Sequence, residues 1–485
     1  MTDVIETQLL INNKLVPASD NGTFELFSPH TGDLVAKVAE ATLDDVNAAV
    51  DAARAAFPAW SALSPLERGA PIRKLAELHL SEKDELARLD AISMGKPISI
   101  HGLDVNYAVT QYNYFAEAAY PQGHTSLNTP GFLNMSLRQP FGVVAIIIPW
   151  NAPLIFFAKK VAPALAAGNC VVVKSSEKAP LTSWKVSQWV EKCGFPPGVI
   201  NVLSGHGQIS GQALSEHMKV RALSFTGSTR TGRAIAIAAA KSNLKKVVFE
   251  LGGKSPSLIF EDADIEQAAK DCELSINYNS GQACFASSRL YVQDSIRDKF
   301  VEAFTEIAKA RKLGDPTTTG IDHGPQADKT QYEAVQKYIA IGKEEAGSTI
   351  DTAAGANTDV SENHIHPVIF TDVPEDSRLT KEEVFGPVVI INTFKTEEEA
   401  IAKANDTEFG LYASLYTKDL ERAMRVAKKL ESGMLGVNCT SPTNSWDLPF
   451  GGWKGSGTGR ESLLDSMEHY LEVKSVYVKV NGIGG

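Results

Sequence analysis

Apolar and polar positions change rhythm along this chain. Val46, Ala49, Val50, Ala53, Phe57 and Trp60 recur at helical spacing behind Asp44 and Asp45, which predicts an amphipathic helix capped by Thr42. From Gly142 onward, short apolar runs without alternation take over: VVAIIIP (143–149), CVVVKSS (170–176), VINVLSG (199–205), ALSFTG (222–227) and KVVFELGG (246–253). Helix-like stretches separate them. Strands that do not alternate are buried on both faces, and strand–helix alternation predicts a parallel, doubly wound α/β sheet. A second series, SLIF (257–260), RLYV (289–292), VIF (368–370), VVIINTF (388–394), ASLYT (413–417) and LGVN (435–438), predicts a second α/β unit. Two alternating pieces, FLNMSLRQP (132–140) and SVYVKV (475–480), belong to neither series. Paired with each other, they would offer an edge that can extend into another subunit.

Composition narrows the function classes. At 485 residues and roughly 150 residues per domain, about three domains are expected. A net charge of −11 argues against nucleic acid as a partner, which calls for a basic face. Cys170, Cys193, Cys272, Cys284 and Cys439 are too scattered for a disulfide framework, and no Cys/His spacing suits zinc, so no metal is expected. Their odd number fits a reducing compartment. The N-terminal MTDVIETQLLINN has early acids and no apolar core of signal length, and no run approaches the ~18 apolar residues of a membrane helix. These features predict a cytoplasmic protein without a membrane partner.

Four stretches carry candidate chemistry. IIIPWNAP ends a buried strand in Trp150 and Asn151, where doubly wound sheets collect ligands. An Asn amide there supplies an uncharged N–H donor suited to an oxyanion, although Pro and Asn also make ordinary turns. FTGSTRTG (225–232) follows a strand and opens a predicted helix, an arrangement that binds phosphate through free backbone N–H groups. Its spacing is not GxGxxG, so the usual dinucleotide fingerprint is absent. FELGGKSP (249–256) places Glu250 at a strand end before two glycines. Beside a cleft such a carboxylate acts as a base; elsewhere it is a solvated charge at a loop entrance. In SGQACFASSR (280–289), Cys284 sits among small residues between a predicted helix and a predicted strand. Asp264 and Gln267 look like a capping box for a helix from Ile265 towards Tyr278, and Gly281 can end it. Cys284 then lies beyond the C-terminal end of that helix, where the dipole disfavours a thiolate. Its activation must come from elsewhere, such as a cationic nicotinamide or a nearby base.

Taken together, PWN, ELGGKS, GQAC, EEVFGPV (382–388) and PFGGWKGSGTGRE (449–461) resemble the motifs of the aldehyde dehydrogenase superfamily, in that family's order. Asn151, Glu250 and Cys284 are 99 and then 34 residues apart by their numbers, which also matches. The resemblance covers essentially the whole chain. It implies an α/β fold of three parts: a Rossmann-like nucleotide-binding domain (1–119 and 141–252), a catalytic α/β domain (253–455) and a small β oligomerisation element (120–140 and 470–485). It further implies a homo-oligomer, dimer or tetramer, joined through that element.

The same resemblance implies that Cys284 is the nucleophile, that the Asn151 amide and the Cys284 N–H hold the oxyanion, and that Glu250 activates the hydrolytic water. Lys174 and Glu177 would hold the adenosine ribose of NAD, and Glu383 the nicotinamide ribose, with Phe385 against the ring. Trp150 and Ser228 would contact the pyrophosphate, and Phe225, Gly227 and Leu251 would complete the cofactor site. A glutamate facing the ribose repels a 2′-phosphate, so NAD is expected over NADP, although Ser175 and Ser176 leave room for the latter. Lys160 is expected to be structural. Ala152, Ile155, Lys159, Leu274, Tyr278, Phe285, Asn444 and Phe450 would wall the substrate tunnel. Many relatives carry tryptophan where this chain has Lys159, and a basic residue there resembles members that take semialdehydes with a distal carboxylate or hydroxylated aromatic aldehydes. The alternative for Lys159 is that it snorkels to solvent. Two other activities stay open: acylation of coenzyme A, whose enzymes generally lack the Glu250 base, and a non-catalytic binding or structural role on the same scaffold.

Overall fold

The computed structural model describes residues 4–118, 120–353, 360–443 and 445–480. The first series of apolar runs forms one sheet. Its five central strands, all parallel, are Val143–Ile147, Cys170–Lys174, Ile200–Leu203, Ala222–Thr226 and Lys246–Glu250. Val143–Ile147 lies in the middle, between Cys170–Lys174 and Ala222–Thr226, so the chain order reverses there. That reversal opens a crevice at the carboxyl ends of the strands, where Pro149-Trp150-Asn151 and Gly227-Ser228 follow. Leu9–Ile11 and Lys14–Val16 extend one edge antiparallel, and Gly457–Thr458 pairs with the other.

Strong local signals set the flanking helices. Thr42 and Asp45 form a reciprocal capping box on Leu43–Ala62, whose Val46, Ala49, Val50, Ala53 and Trp60 are buried against the sheet's core. At Ile265–Asn277 the cap is only one-sided. Asp264 accepts from the Gln267 N–H, while the Gln267 amide turns to Asp271 instead of the cap backbone. Gly281 does not end this helix either: Tyr278 caps it, and a 3₁₀ turn, Tyr278–Gly281, follows.

The second series builds a seven-stranded sheet in the order Ser348–Asp351, Val368–Thr371, Val388–Phe394, Ser287–Gln293, Ser255–Ile259, Tyr412–Tyr416 and Met434–Val437. Only the Ser348–Asp351 edge runs antiparallel to its neighbour. Apolar clusters cover its faces, one around Phe300 and Phe304, another around Phe260 and Phe394, and a third around Val335 and Phe370. The remaining extended pieces pair with each other, Phe132–Pro140 against Leu471–Lys479, in antiparallel register from Leu471↔Pro140 to Lys479↔Phe132. Thr125–Ser126 covers one side of this ribbon, leaving Leu471–Lys479 as an edge with Val473, Tyr477 and Val478 exposed. No helix among the described residues is long and apolar enough to cross a membrane.

Candidate active site

The Cys284 loop is built to hold one shape. Asn279, Ser280 and Gly281 take successive left-handed conformations, with φ of 50°, 56° and 78°. Such a run is costly for residues with side chains and persists only where its surroundings enforce it. Here they do. Ser280 Oγ donates to the Gly324 carbonyl (2.8 Å), Gln326 donates to the Ser280 carbonyl (3.1 Å), and Gln282 Oε1 accepts from the Ala327 N–H (2.9 Å). Gly281 is obligatory on two counts, because a Cβ there would also lie 2.0 Å from the Gly386 carbonyl carbon. This enforced turn brings the half-buried Cys284 to the wall of a cavity of about 280 Å³.

Asn151 reaches the same cavity at the end of the Val143–Ile147 strand. Its Nδ2 donates one N–H to the Gln282 carbonyl (3.0 Å), which fixes the amide and leaves its second N–H for a ligand. The Asn279 amide in turn holds the Asn151 carbonyl (3.2 Å). Helix Pro153–Ala166 starts directly behind, and Ile155 and Lys159, one turn apart, face the cavity from it. Tyr278, Phe285 and Phe450 complete the predicted wall, with Ala152. Leu274 does not belong to it, being exposed on helix Ile265–Asn277, and Asn444 lies outside the described residues.

Glu250 ends the Lys246–Glu250 strand, and Gly253, three residues on, packs so tightly against the Cys284 carbonyl that a Cβ would lie 2.3 Å from it. The Glu250 carboxyl is buried and neither oxygen has a hydrogen-bond partner among the described residues. Burial, reinforced by the charge of Glu461, holds its pKa well above the usual carboxylate range. Burial also pushes the Cys284 thiol up to about 12, with Glu383 and Glu250 adding to the effect and Lys159 opposing it. The resting cysteine is therefore a thiol.

Lys159 does not snorkel. Its side chain is buried, with Nζ 3.4 Å from Glu461 Oε2 and 3.4 Å from the centre of the Phe450 ring. Glu461 is shared: its Oε1 accepts from Lys160 Nζ (2.6 Å), which also donates to Ser224 (2.9 Å). Lys160 thus ties the helix behind Asn151 to the segment after Phe450. Sequence reasoning quoted the stretch that contains Glu461 but gave that residue no role. Its only signal was an acid beside a glycine-rich turn, and its partners are 301 and 302 residues away by their numbers. Tyr107 and Trp446, stacked 4.8 Å apart at the cavity, and Phe156 were missed as well, since Tyr107 and Phe156 at helical spacing read as core and Trp446 lies in a loop without a motif of its own. Lys96 and Asp104, an ion pair in the cavity wall, were missed too. Asp90, His101 and Asp104 approach metal-ligand spacing, but the Lys96 ammonium already neutralises Asp104.

A second set of residues fits a dinucleotide. Ser228 caps helix Thr229–Lys241, accepting from the Thr231 N–H, and a helix N-terminus presents N–H groups that suit phosphate. Phe225 and Gly227 lead into that cap, and Leu251 packs under Gly232 of the helix. Glu383 is held by the Gly253 N–H (2.9 Å), and burial raises its carboxyl to about 7. The Phe385 and Trp150 rings meet edge to face, 5.3 Å apart. Lys174 is buried with Glu177 3.8 Å away. Gly211 packs against the Lys174 side chain, 3.6 Å from where a Cβ would stand. Buried donors and acceptors around a helix N-terminus match the ribose and phosphate groups of NAD.

Comparison with known proteins agrees with this geometry. The model of the aldehyde dehydrogenase family matches residues 15–476. An aldehyde dehydrogenase of Davidiella tassiana is 43% identical over 98% of this chain and 95% of its own length, and aldehyde dehydrogenase 1 of Tanacetum cinerariifolium is 44% identical with the same coverage. Among solved structures, PnpE from Pseudomonas sp. WBC-3 superimposes with a TM-score of 0.95 at 41% identity, covering 98% of both chains. An indole-3-acetaldehyde dehydrogenase of P. syringae, solved with NAD+ and IAA, gives a TM-score of 0.94 at 38% identity, covering 99% of this chain and 98% of that one. The chain belongs to the aldehyde dehydrogenase family. It has that family's fold and is an enzyme that oxidises aldehydes with NAD(P).

Proposed function

We propose that the enzyme oxidises an aldehyde to the free acid through a thioester on Cys284, hydrolysed by water that Glu250 activates. One observation carries this reading: the nucleophile and a half-engaged Asn151 amide share one cavity, beside a buried Glu250 carboxyl without a hydrogen bond. The Cys284 sulfur adds to the carbonyl carbon as its thiol proton passes to solvent. The Asn151 amide and the Cys284 N–H hold the resulting alkoxide, whose collapse expels hydride and leaves a thioester. NAD, when bound, supplies the hydride acceptor. Glu250 then takes a proton from water, which attacks the thioester and releases the acid and the thiol. A carboxyl raised by burial is poorly suited to carry charge at rest and strongly basic once ionised, which suits this step.

Trp150, Ser228, Phe225, Gly227 and Leu251 would hold the cofactor around the helix N-terminus, Lys174 and Glu177 its adenosine ribose, and Glu383 with Phe385 its nicotinamide end. The NAD+ in the P. syringae relative supports NAD as the coenzyme. Residues 1–119 and 141–252 would form the nucleotide-binding domain, 253–455 the catalytic domain, and 120–140 with 470–485 the oligomerisation element. The exposed Val473 and Tyr477 on the Leu471–Lys479 edge support a homo-oligomer, and sedimentation at a single-chain mass would refute it. The substrate is a broad range of aliphatic and aromatic aldehydes, with a polar or anionic far end accommodated at Lys159. The deciding experiment is a panel of aldehydes, including carboxylated compounds and their methyl-capped analogues, run with NAD and with NADP, with and without coenzyme A, and assayed for free acid and acyl-coenzyme A. Acyl-coenzyme A as the product, or no reduced cofactor with any aldehyde, would overturn the reading.

Two results follow within this scheme. Asn151→Ala should lower kcat by ~10²–10³, the usual cost of one oxyanion donor, without changing the labelling of Cys284 by iodoacetamide. For Glu383, the sign follows from its raised pKa of about 7. Above that pH the carboxylate accepts from the ribose hydroxyls; below it the neutral acid accepts more weakly. NAD affinity, titrated by fluorescence quenching, should therefore fall about 5- to 10-fold as pH drops through 7, and Glu383→Gln should abolish that dependence.

A further inference from the structure

Helix Pro153–Ala166 carries two adjacent lysines, both buried and both directed at a single carboxylate. Lys160 claims it, with a 2.6 Å hydrogen bond to Glu461 Oε1 and a second bond to Ser224. Lys159 receives only what is left. It stands 3.4 Å from Glu461 Oε2, an oxygen that accepts no hydrogen bond from the described residues, and rests over the Phe450 ring. Ion pairs that share one acid leave one positive charge without a full partner, and a buried charge in that state is costly unless another anion completes it. The Lys159 ammonium lines the same cavity as Cys284.

We propose that Lys159 is a positioning residue whose unbalanced charge completes itself on the anionic form of Cys284, and so promotes ionisation of the nucleophile before substrate arrives. This rests on Cys284 being the nucleophile but on no assumption about the aldehyde. The groups that face the sulfur are Glu383 and Glu250, which oppose its ionisation, and Lys159, which favours it. Tyr107, Glu461, Glu250 and Cys284 face Lys159 itself. Both acids beside the thiol are buried, and burial favours their neutral forms. Below the Glu383 pKa of about 7 the cation acts on the sulfur with little opposition, and above it Lys159 offsets the Glu383 charge. The thiol proton leaves to solvent, and the thiolate is the species that reacts.

The test reads the thiol directly, without aldehyde or NAD. Iodoacetamide, a neutral reagent, alkylates the thiolate with loss of iodide, and peptide mapping assigns the label to Cys284 rather than to Cys439, which is also partly exposed. Rates are measured from pH 6 to 10 for wild type, Lys159→Met and Lys159→Arg. Glu461 keeps Lys160 in both variants, so the core pair survives. With the thiol's pKa near 12, this whole range lies on the rising limb, and the expected result for Lys159→Met is labelling about 10-fold slower across it, with Lys159→Arg near wild type. Because the Glu250 charge could mask a shift, the comparison is repeated in Glu250→Gln, where the same slowing is expected. Superimposable profiles in both backgrounds would overturn the proposal. If Lys159→Met does not fold, Lys159→Gln is used in its place. A wild type whose Cys284 is never labelled would sink the nucleophile assignment instead, so the two failures are distinguishable.

Discussion

Replacing Glu250 with glutamine should convert the enzyme into one that turns over once and stalls. The amide keeps the size of the carboxyl but cannot take a proton from water, while formation of the thioester makes no demand on it. Mixing the variant with aldehyde and NAD should give a burst of reduced cofactor close to one equivalent per active site. Steady turnover should be slower by ~10²–10⁴. The environment explains why glutamine is the informative choice. Both Glu250 oxygens are buried without a partner, and Glu461, Lys159, Lys160 and Arg460 act on its charge. A neutral side chain of equal volume removes the basic function without opening a void. Stopped-flow absorbance at 340 nm checks the result, and a variant with no burst and uniformly slow kinetics would place Glu250 in the first half of the reaction.

The second large effect is expected at the sulfur. Cys284→Ser should lose at least about 10⁴ in kcat, because a hydroxyl buried among apolar and acidic groups has no access to its anion and is a weaker nucleophile than a thiolate. Binding of NAD, measured separately, should change little, because the proposed cofactor contacts are elsewhere, from Trp150 to Glu383. A Cys284→Ser enzyme with ordinary turnover would leave the cavity without a purpose.

The sequence displayed the two parallel sheets well, for a physical reason. Strands such as CVVVK and VVIINTF are covered on both faces, so their apolar runs are unbroken and cannot be mistaken for solvated loops. Asn151, Glu250 and Cys284 stood out through the ordered motifs that carry them, since alone the Asn reads as a turn and the Glu as a solvated loop charge. The charged residues that join the halves of the site were not. Lys160 and Glu461 are linked only through three-dimensional closure, and a buried ion pair looks in sequence like two surface charges. Lys159 shows the same blindness in reverse: an extra lysine on a helix suggests a route to solvent, yet the fold seals it between Phe450 and Glu461. The left-handed run at Asn279 and Ser280 was equally hidden, because its cause is a set of hydrogen bonds to the Gly324 carbonyl and from Gln326 and Ala327.

The central claim is a covalent bond between Cys284 and the substrate's carbonyl carbon, and mass spectrometry of the stalled Glu250→Gln enzyme tests it most directly. After reaction with benzaldehyde and NAD, the account predicts a mass gain of one benzoyl group, located on the peptide that holds Cys284 and released by hydroxylamine. An unmodified Cys284, or an acyl group on any other residue, would contradict it.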